Sequence, residues 1–267
     1  MDLGLRDAAV LITGGSSGIG REAAMGYGRE GARVAITYGS RKDAAEGVAE
    51  EIEAAGGTAY VVPMDLNEPE TIAAAVDATV KQWGGLDVVV GNAVNWGSAG
   101  FHDRPENIED AKPEWWIPVM RANLEGNFHL VQQVAPALRR SDQGRLVLIS
   151  TDLAERGLAG SWPYSAAKAG LHGLVASLQH DLGKDGVLVN VVMPGITLEN
   201  GEHRVIPKPA VDQIATRFSA RKLPDTTDIA DAILFLTSPR TTAIQGEILR
   251  VTGGHLLPDQ VYRDDTA

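Results

Sequence analysis

Tyr164 and Lys168 stand four positions apart, so on a helix both side chains leave the same face. A tyrosine hydroxyl with an ordinary pKa of roughly 10 is a poor acid or base at neutral pH. An ammonium held beside it favours the phenolate and moves the group toward a useful range. Such a pair is common on protein surfaces, and what singles this one out is its neighbourhood. Thr151 follows an apolar run at 144–150, and its hydroxyl is placed to hold a substrate oxygen. Asn123, in the long helical stretch after the fourth strand, is expected at a helix kink, holding a water that relays protons to Lys168. The chemistry such a set can perform is proton transfer at an alcohol or carbonyl oxygen.

A partner for that chemistry is suggested near the start of the chain. A short apolar run leads into Thr13-Gly14-Gly15-Ser16-Ser17-Gly18-Ile19-Gly20, and a helical pattern follows. Glycines let the backbone turn tightly and approach a pyrophosphate, and the helix that follows offers free N–H groups and the positive end of its dipole. Gly14, Ser16, Ser17, Gly18, Ile19 and Gly20 are the expected contacts. An oxidised nicotinamide beside Tyr164 would add to the pull on its proton. The second strand ends in Tyr38-Gly39-Ser40-Arg41-Lys42, with no carboxylate before Asp43. A carboxylate there would accept from both ribose hydroxyls and repel a 2′-phosphate, whereas Ser40, Arg41 and Lys42 can meet that phosphate. The reading is NADP(H) over NAD(H). Asp65 and Leu66 are expected to border the adenine, and Asn92 and Ala93 to lie under the central ribose.

The elements that must position these groups alternate. Strand patterns fall at 8–12, 33–37, 58–63, 86–90, 144–150, 186–193 and 247–251, and helical patterns at 19–30, 42–55, 69–83, 114–140, 164–182 and 228–237. Runs such as LDVVV and RLVLIS are apolar without alternation, as in strands covered on both faces. Asn67, with Pro69 and Glu70 after it, reads as a helix start. Strand-helix alternation with right-handed crossovers predicts an α/β fold, one doubly wound parallel sheet of about seven strands with helices on both faces. Ligands of such sheets bind beyond the carboxyl ends of the strands. The segment 195–224 is irregular, with a helical stretch near 210–220, and is read as a substrate lid or loop.

The 267 residues suit a single domain, here 1–267. A net charge of −11 argues against a phosphate-backbone partner, so no nucleic acid is expected. The absence of cysteine excludes disulfides and thiolate zinc sites, and no His/Asp cluster has metal spacing. With no signal-like or membrane-length apolar run, a soluble cytoplasmic protein without membrane contact is expected. His129, His172 and His180 are read as packing or interface residues.

TGGSSGIG, the GNAV segment at 91–94, ANLEG, LISTDLAERGLAGSWPYSAAKAG, NVVMPG and the terminal IQGEILRVTGG together resemble the short-chain dehydrogenase/reductase family. The likeness is to its common single-domain branch, which includes 3-oxoacyl carrier-protein reductases and polyketide or naphthol reductases, and it runs from Leu11 to Gly254. It implies a Rossmann-type fold, a homotetramer or homodimer, and a catalytic set matched here by Asn123, Tyr164 and Lys168. The family's catalytic serine falls on Thr151. Ser150 precedes it, but alternation puts the two on opposite faces, and spacing to Tyr164 favours Thr151. Further departures are Gly91 and Val94 in the usual Asn-Asn-Ala-Gly, Thr252 for the aspartate of Val-Asp-Gly-Gly, and Glu199 for a threonine. Pro194, Gly195, Ile196 and Thr197 are well placed for the nicotinamide carboxamide.

The reading that follows is an NADPH-dependent ketoreductase with Tyr164 as general acid. Val94, Asn95, Trp96, 152–162 and 195–224 border the expected pocket. Trp96 and Trp162 either face a flat ketone of polyketide or aromatic type or pack under a loop. Arg104 and Arg156 are the only nearby cations for an acyl carrier, so a 3-oxoacyl thioester is less favoured. Alcohol oxidation of catabolic type is one alternative, and a non-catalytic NADP-binding sensor another.

Overall fold

The structure, a computed structural model, describes residues 2–97, 105, 107–203 and 206–254. Seven strands form one parallel sheet in the order β3-β2-β1-β4-β5-β6-β7. They are β1 (Ala9–Ile12), β2 (Arg33–Tyr38), β3 (Thr58–Pro63), β4 (Val88–Gly91), β5 (Arg145–Ile149), β6 (Leu188–Pro194) and β7 (Ile248–Val251). The order reverses between β1 and β4, so a crevice opens there at the strands' carboxyl ends.

Helices cover both faces: α1 (Gly18–Arg29), α2 (Lys42–Ala54), α3 (Pro69–Trp83), α4 (Pro113–Met120), α5 (Gly126–Leu138), α6 (Leu153–Arg156), α7 (Trp162–Asp181), α8 (Lys208–Ala215) and α9 (Thr226–Thr237). The apolar strands divide their side chains between two cores. Val10, Ile12, Val88, Val90, Val147 and Ile149 pack with residues of α1, α2 and α9. Leu11, Val89, Leu146 and Leu148 pack with residues of α3, α5 and α7 on the other face. That split is why the sequence shows runs rather than alternation. Among the described residues no helix is long and apolar enough to cross a membrane.

Three expectations need correction. The stretch read as one helix over 114–140 is broken: α4 passes into a π-helical segment, Arg121–Glu125, before α5 resumes. Side chains enter the backbone ladder here, because Asn123 Nδ2 donates to the Val119 carbonyl at 2.9 Å and Asn127 Nδ2 to the Asn123 carbonyl at 2.9 Å. The helix of the 195–224 segment is α8, displaced toward the N-terminus of 210–220 with Pro207 before it. Glu68, not Asn67, holds the position before α3 and makes no side-chain bond to it, while the Asn67 amide donates to Asp65 Oδ1 at 3.1 Å. The short α6 had no sequence signal.

Asn190 holds the last strand in place. It is buried, its Nδ2 donates to the Ile244 carbonyl at 2.9 Å, and its Oδ1 accepts from Glu247 N–H at 2.9 Å. Replacing it leaves two backbone groups without partners at the entry to β7. Asn190→Ala should therefore lower stability by roughly 2–3 kcal/mol, read as an earlier denaturant midpoint.

Candidate active site

The crevice is closed on one side by a knot between the ends of β1 and β4. Thr13 Oγ1 accepts from Asn92 N–H at 2.8 Å and Ala93 N–H at 2.9 Å, and donates to the Val90 carbonyl at 3.3 Å. Asn92 Nδ2 donates to the Thr13 carbonyl at 2.9 Å and the Gly14 carbonyl at 3.1 Å. Thr37 Oγ1, from β2, accepts from Gly14 N–H at 3.1 Å. A Cβ at Gly20 would stand 2.5 Å from both Asn92 Nδ2 and the Gly14 carbonyl oxygen, and Gly14 itself lies at φ +67. Only glycines let the chain cross itself so closely. The Asn92 amide shapes the loop from beneath the crevice. The threonines at 13 and 37 were not singled out in the sequence, because their partners lie 77 and 23 residues away.

The loop fits a dinucleotide's phosphates. Gly18 opens α1, Ser17 precedes it in extended conformation, and Ser16 is buried at the turn. Arg41 Nη2 donates to Ser17 Oγ at 2.7 Å, bringing a guanidinium from the end of β2 to the mouth of the loop, while Ser40 beside it is exposed. Lys42 is engaged elsewhere, with Glu46 at 2.7 Å. Asp65 is exposed and caps its own turn through Asn67, while the Leu66 side chain is buried in the core and its carbonyl presses on Gly126.

Tyr164 and Lys168 lie on α7, whose first turn carries Pro163 and starts two residues earlier than the sequence pattern indicated. Both are buried, and Lys168 Nζ sits 5.8 Å from the Tyr164 ring centroid and donates to the Ile149 carbonyl at 2.8 Å. Burial holds Lys168 down to about 8. Burial first, and then the negative charge of Asp152, push the Tyr164 hydroxyl above its ordinary value. Burial and Asp152 thus oppose the pull toward phenolate expected from Lys168 together with an oxidised nicotinamide. The phenol is held neutral.

Ser150 and Thr151 part company as strand alternation requires. Ser150 follows Leu146 and Leu148 onto the α7 face, where its Oγ lies 2.7 Å from His172 Nε2 and 3.3 Å from the Lys168 carbonyl. Thr151 turns the other way; its Oγ1 accepts from Leu153 N–H at 3.3 Å and lies 3.5 Å from Asp152 Oδ1. Leu153 packs with Tyr164 and Val119, so α6 leans on the tyrosine. Asp152 pairs with Arg156 Nε at 2.6 Å.

Asn123 is fully buried in the π-helical segment. Besides its bond to Val119, its Nδ2 donates to the Asn95 carbonyl at 2.6 Å, and its Oδ1 accepts from Asn95 N–H at 3.3 Å. It pins the chain at residue 95, and the next residue, Trp96, lays its ring against Tyr164 with centroids 4.1 Å apart and planes at 41°. Trp162 does not join them; its ring meets Trp115 edge-on at 6.2 Å. Val94 remains exposed beside the crevice. Pro194, Gly195, Ile196 and Thr197 follow β6 in the crevice: the Pro194 carbonyl accepts from Asp152 N–H at 2.8 Å, and Thr197 Oγ1 donates to the Gly195 carbonyl at 3.1 Å. Arg104 lies outside the described residues.

A family profile described as short chain dehydrogenase matches residues 8–208. The chain belongs to the short-chain dehydrogenase family. It is an oxidoreductase of alcohol and carbonyl carbons. It is 32% identical to the 3-oxoacyl-[acyl-carrier-protein] reductase of Staphylococcus aureus over 92% of this chain and 97% of that one. It is 31% identical to the 7alpha-hydroxysteroid dehydrogenase of Escherichia coli, over 95% of this chain and 96% of that one. Among solved structures, a short chain dehydrogenase of Burkholderia cenocepacia in complex with NADP is similar at TM-score 0.84 and 30% identity, covering 94% of this chain and 98% of the other.

In this short-chain dehydrogenase the buried charge of Lys168 opposes stability. Its value in the folded protein, about 8, lies below the ordinary 10.5, so between those pH values the unfolded chain binds the extra proton and stability rises with pH. Below about 8 the full cost of the buried charge is present. Lys168→Met should remove activity yet raise stability at neutral pH by roughly 1–3 kcal/mol, after losing the bond to Ile149. Urea unfolding of both proteins should show the difference shrinking as pH rises from about 8 toward 10.5.

Proposed function

We propose that this short-chain dehydrogenase is an NADPH-dependent ketoreductase acting on a flat, ring-bearing ketone of polyketide or aromatic type. The observation that carries the substrate class is the Trp96 ring, 4.1 Å from the Tyr164 ring and 38% exposed, which lines the approach to the proton donor with a flat apolar face. NADP(H) is supported by the close-packed glycine loop, by Arg41 beside it on Ser17, and by the lack of a carboxylate at the end of β2. When bound, the nicotinamide supplies the hydride. Gly14, Ser16, Ser17, Gly18, Ile19 and Gly20 would hold the pyrophosphate, Ser40 and Arg41 the 2′-phosphate, and 194–197 the nicotinamide end.

The protein's own part is proton delivery. Tyr164, kept neutral by burial and by Asp152, gives its hydroxyl proton to the alkoxide oxygen, which is the need of the reducing direction. Thr151 donates to that same oxygen and fixes it, and Lys168 holds its charge next to the phenolate left behind. Asn123 acts through Asn95, keeping Trp96 against the tyrosine. The steroid named in the Escherichia coli relative is a polycyclic compound, which agrees with a broad apolar wall.

A 3-oxoacyl thioester, named in the Staphylococcus aureus relative, is the second reading. An open cavity of about 230 Å³ beside Asp152 has two arginines in its wall, Arg156 and Arg250. Both are already paired, with Asp152 and Glu155, so they offer a carrier protein little free positive charge.

The test is NADPH oxidation against a panel running from β-keto esters to polycyclic ketones and quinones, with NADH alongside. Turnover is expected with NADPH on the flat ring systems; turnover confined to acyl thioesters would overturn the substrate class. Tyr164→Phe should reduce turnover roughly 10²–10⁴-fold while NADPH binding stays near wild type. Thr151→Ala should cut kcat on the order of 10²-fold and Ser150→Ala far less, and the reverse ranking would move the oxyanion role to Ser150.

A further inference from the structure

The positive end of α1 has no local partner for its charge. No acidic residue lies in its first turn, and Ser17 makes no side-chain bond to it, its hydroxyl being held by Arg41. The charge is met from the far side of the crevice instead. Gly18 N–H donates to Glu199 Oε1 at 3.2 Å, between residues 181 positions apart. Glu199 reaches α1 from a braced turn: its own N–H donates to the Glu202 carbonyl at 2.7 Å, Leu198 N–H to the Pro224 carbonyl at 2.9 Å, and Thr226 N–H to the Leu198 carbonyl at 2.8 Å.

We propose that Glu199 is an internal stand-in for the cofactor's pyrophosphate and sets how tightly the cofactor is held. Its carboxylate occupies the anion position at the start of α1. A helix N-terminus stabilises one anion there. A second negative group at the same N–H is repelled, so the dinucleotide must displace the carboxylate before its phosphates reach Gly18. The contact links the turn at 199–202 to occupancy of the glycine loop and makes cofactor binding weaker and release faster than the loop alone would give. The inference rests on the glycine loop being the dinucleotide cradle.

The test is calorimetric titration of wild type, Glu199→Gln, Glu199→Thr and Glu202→Gln with NADPH, and separately with adenosine 2′-phosphate, which carries no 5′-phosphate. The Gln and Thr variants should bind NADPH on the order of twofold to thirtyfold tighter, the range expected for one charge at a helix end. Stopped-flow release of NADPH should slow in step. Glu202→Gln, a charge loss in the same turn, should leave NADPH affinity unchanged, and adenosine 2′-phosphate should bind all four proteins alike. Unchanged or weaker NADPH binding in both Glu199 variants overturns the proposal, as does equal tightening in Glu202→Gln. Failure of wild type to bind NADPH at all would instead overturn the cradle on which it rests.

Discussion

The crossing of the chain at the ends of β1 and β4 leaves no room for a side-chain carbon at residue 20. Much of the proposed cofactor side depends on that constraint. Thr13 and Asn92 tie the two strand ends with five hydrogen bonds, and Thr37 ties the loop to β2. The loop is thereby fixed by the protein's own bonds, and α1 starts at the crevice. The sheet's reversal of order between β1 and β4 creates the opening.

The other side of the crevice is governed by burial of charge. Lys168 is held under the protein surface on the last carbonyl of β5, and its ammonium pays a desolvation penalty that no described carboxylate relieves at close range. Tyr164 is driven the opposite way, toward the neutral phenol, by burial and by Asp152. Opposed shifts on two groups of one site are the pattern that the proposed acid and its charged helper require. Proton loss from the tyrosine and charge retention on the lysine are coupled, since each lowers the cost of the other at short range.

Elements without regular pattern position the groups that close the site. The π-helical turn at Arg121–Glu125 exists because Asn123 and Asn127 bond to carbonyls one turn back, and the same distortion carries Asn123 to Asn95. Trp96 is aimed at Tyr164 as a result. On the opposite rim, the turn at residue 199 reaches back to α1, so the two rims meet at the place where phosphate chemistry is expected.

Much was legible in the sequence alone. Apolar runs marked buried parallel strands, because a strand covered on both faces has no solvent side to record. The glycine loop and the Tyr164–Lys168 pair were legible because their chemistry sits within eight residues and one helical turn, and the period of two along β5 was enough to separate Ser150 from Thr151. Local periodicity carries no information about contacts between segments brought together by sheet order. That is why the bracing role of Asn92 was not read, why Trp96 and Trp162 stood equal until one met Tyr164 and the other Trp115, and why Glu199 registered only as an odd residue. The direction of the Tyr164 shift was likewise beyond the sequence, since it depends on how deeply the ring is buried and on which side of it Asp152 stands. Residue types and short spacings determined the chemistry available; register, burial and the paths of the loops decided which groups perform it.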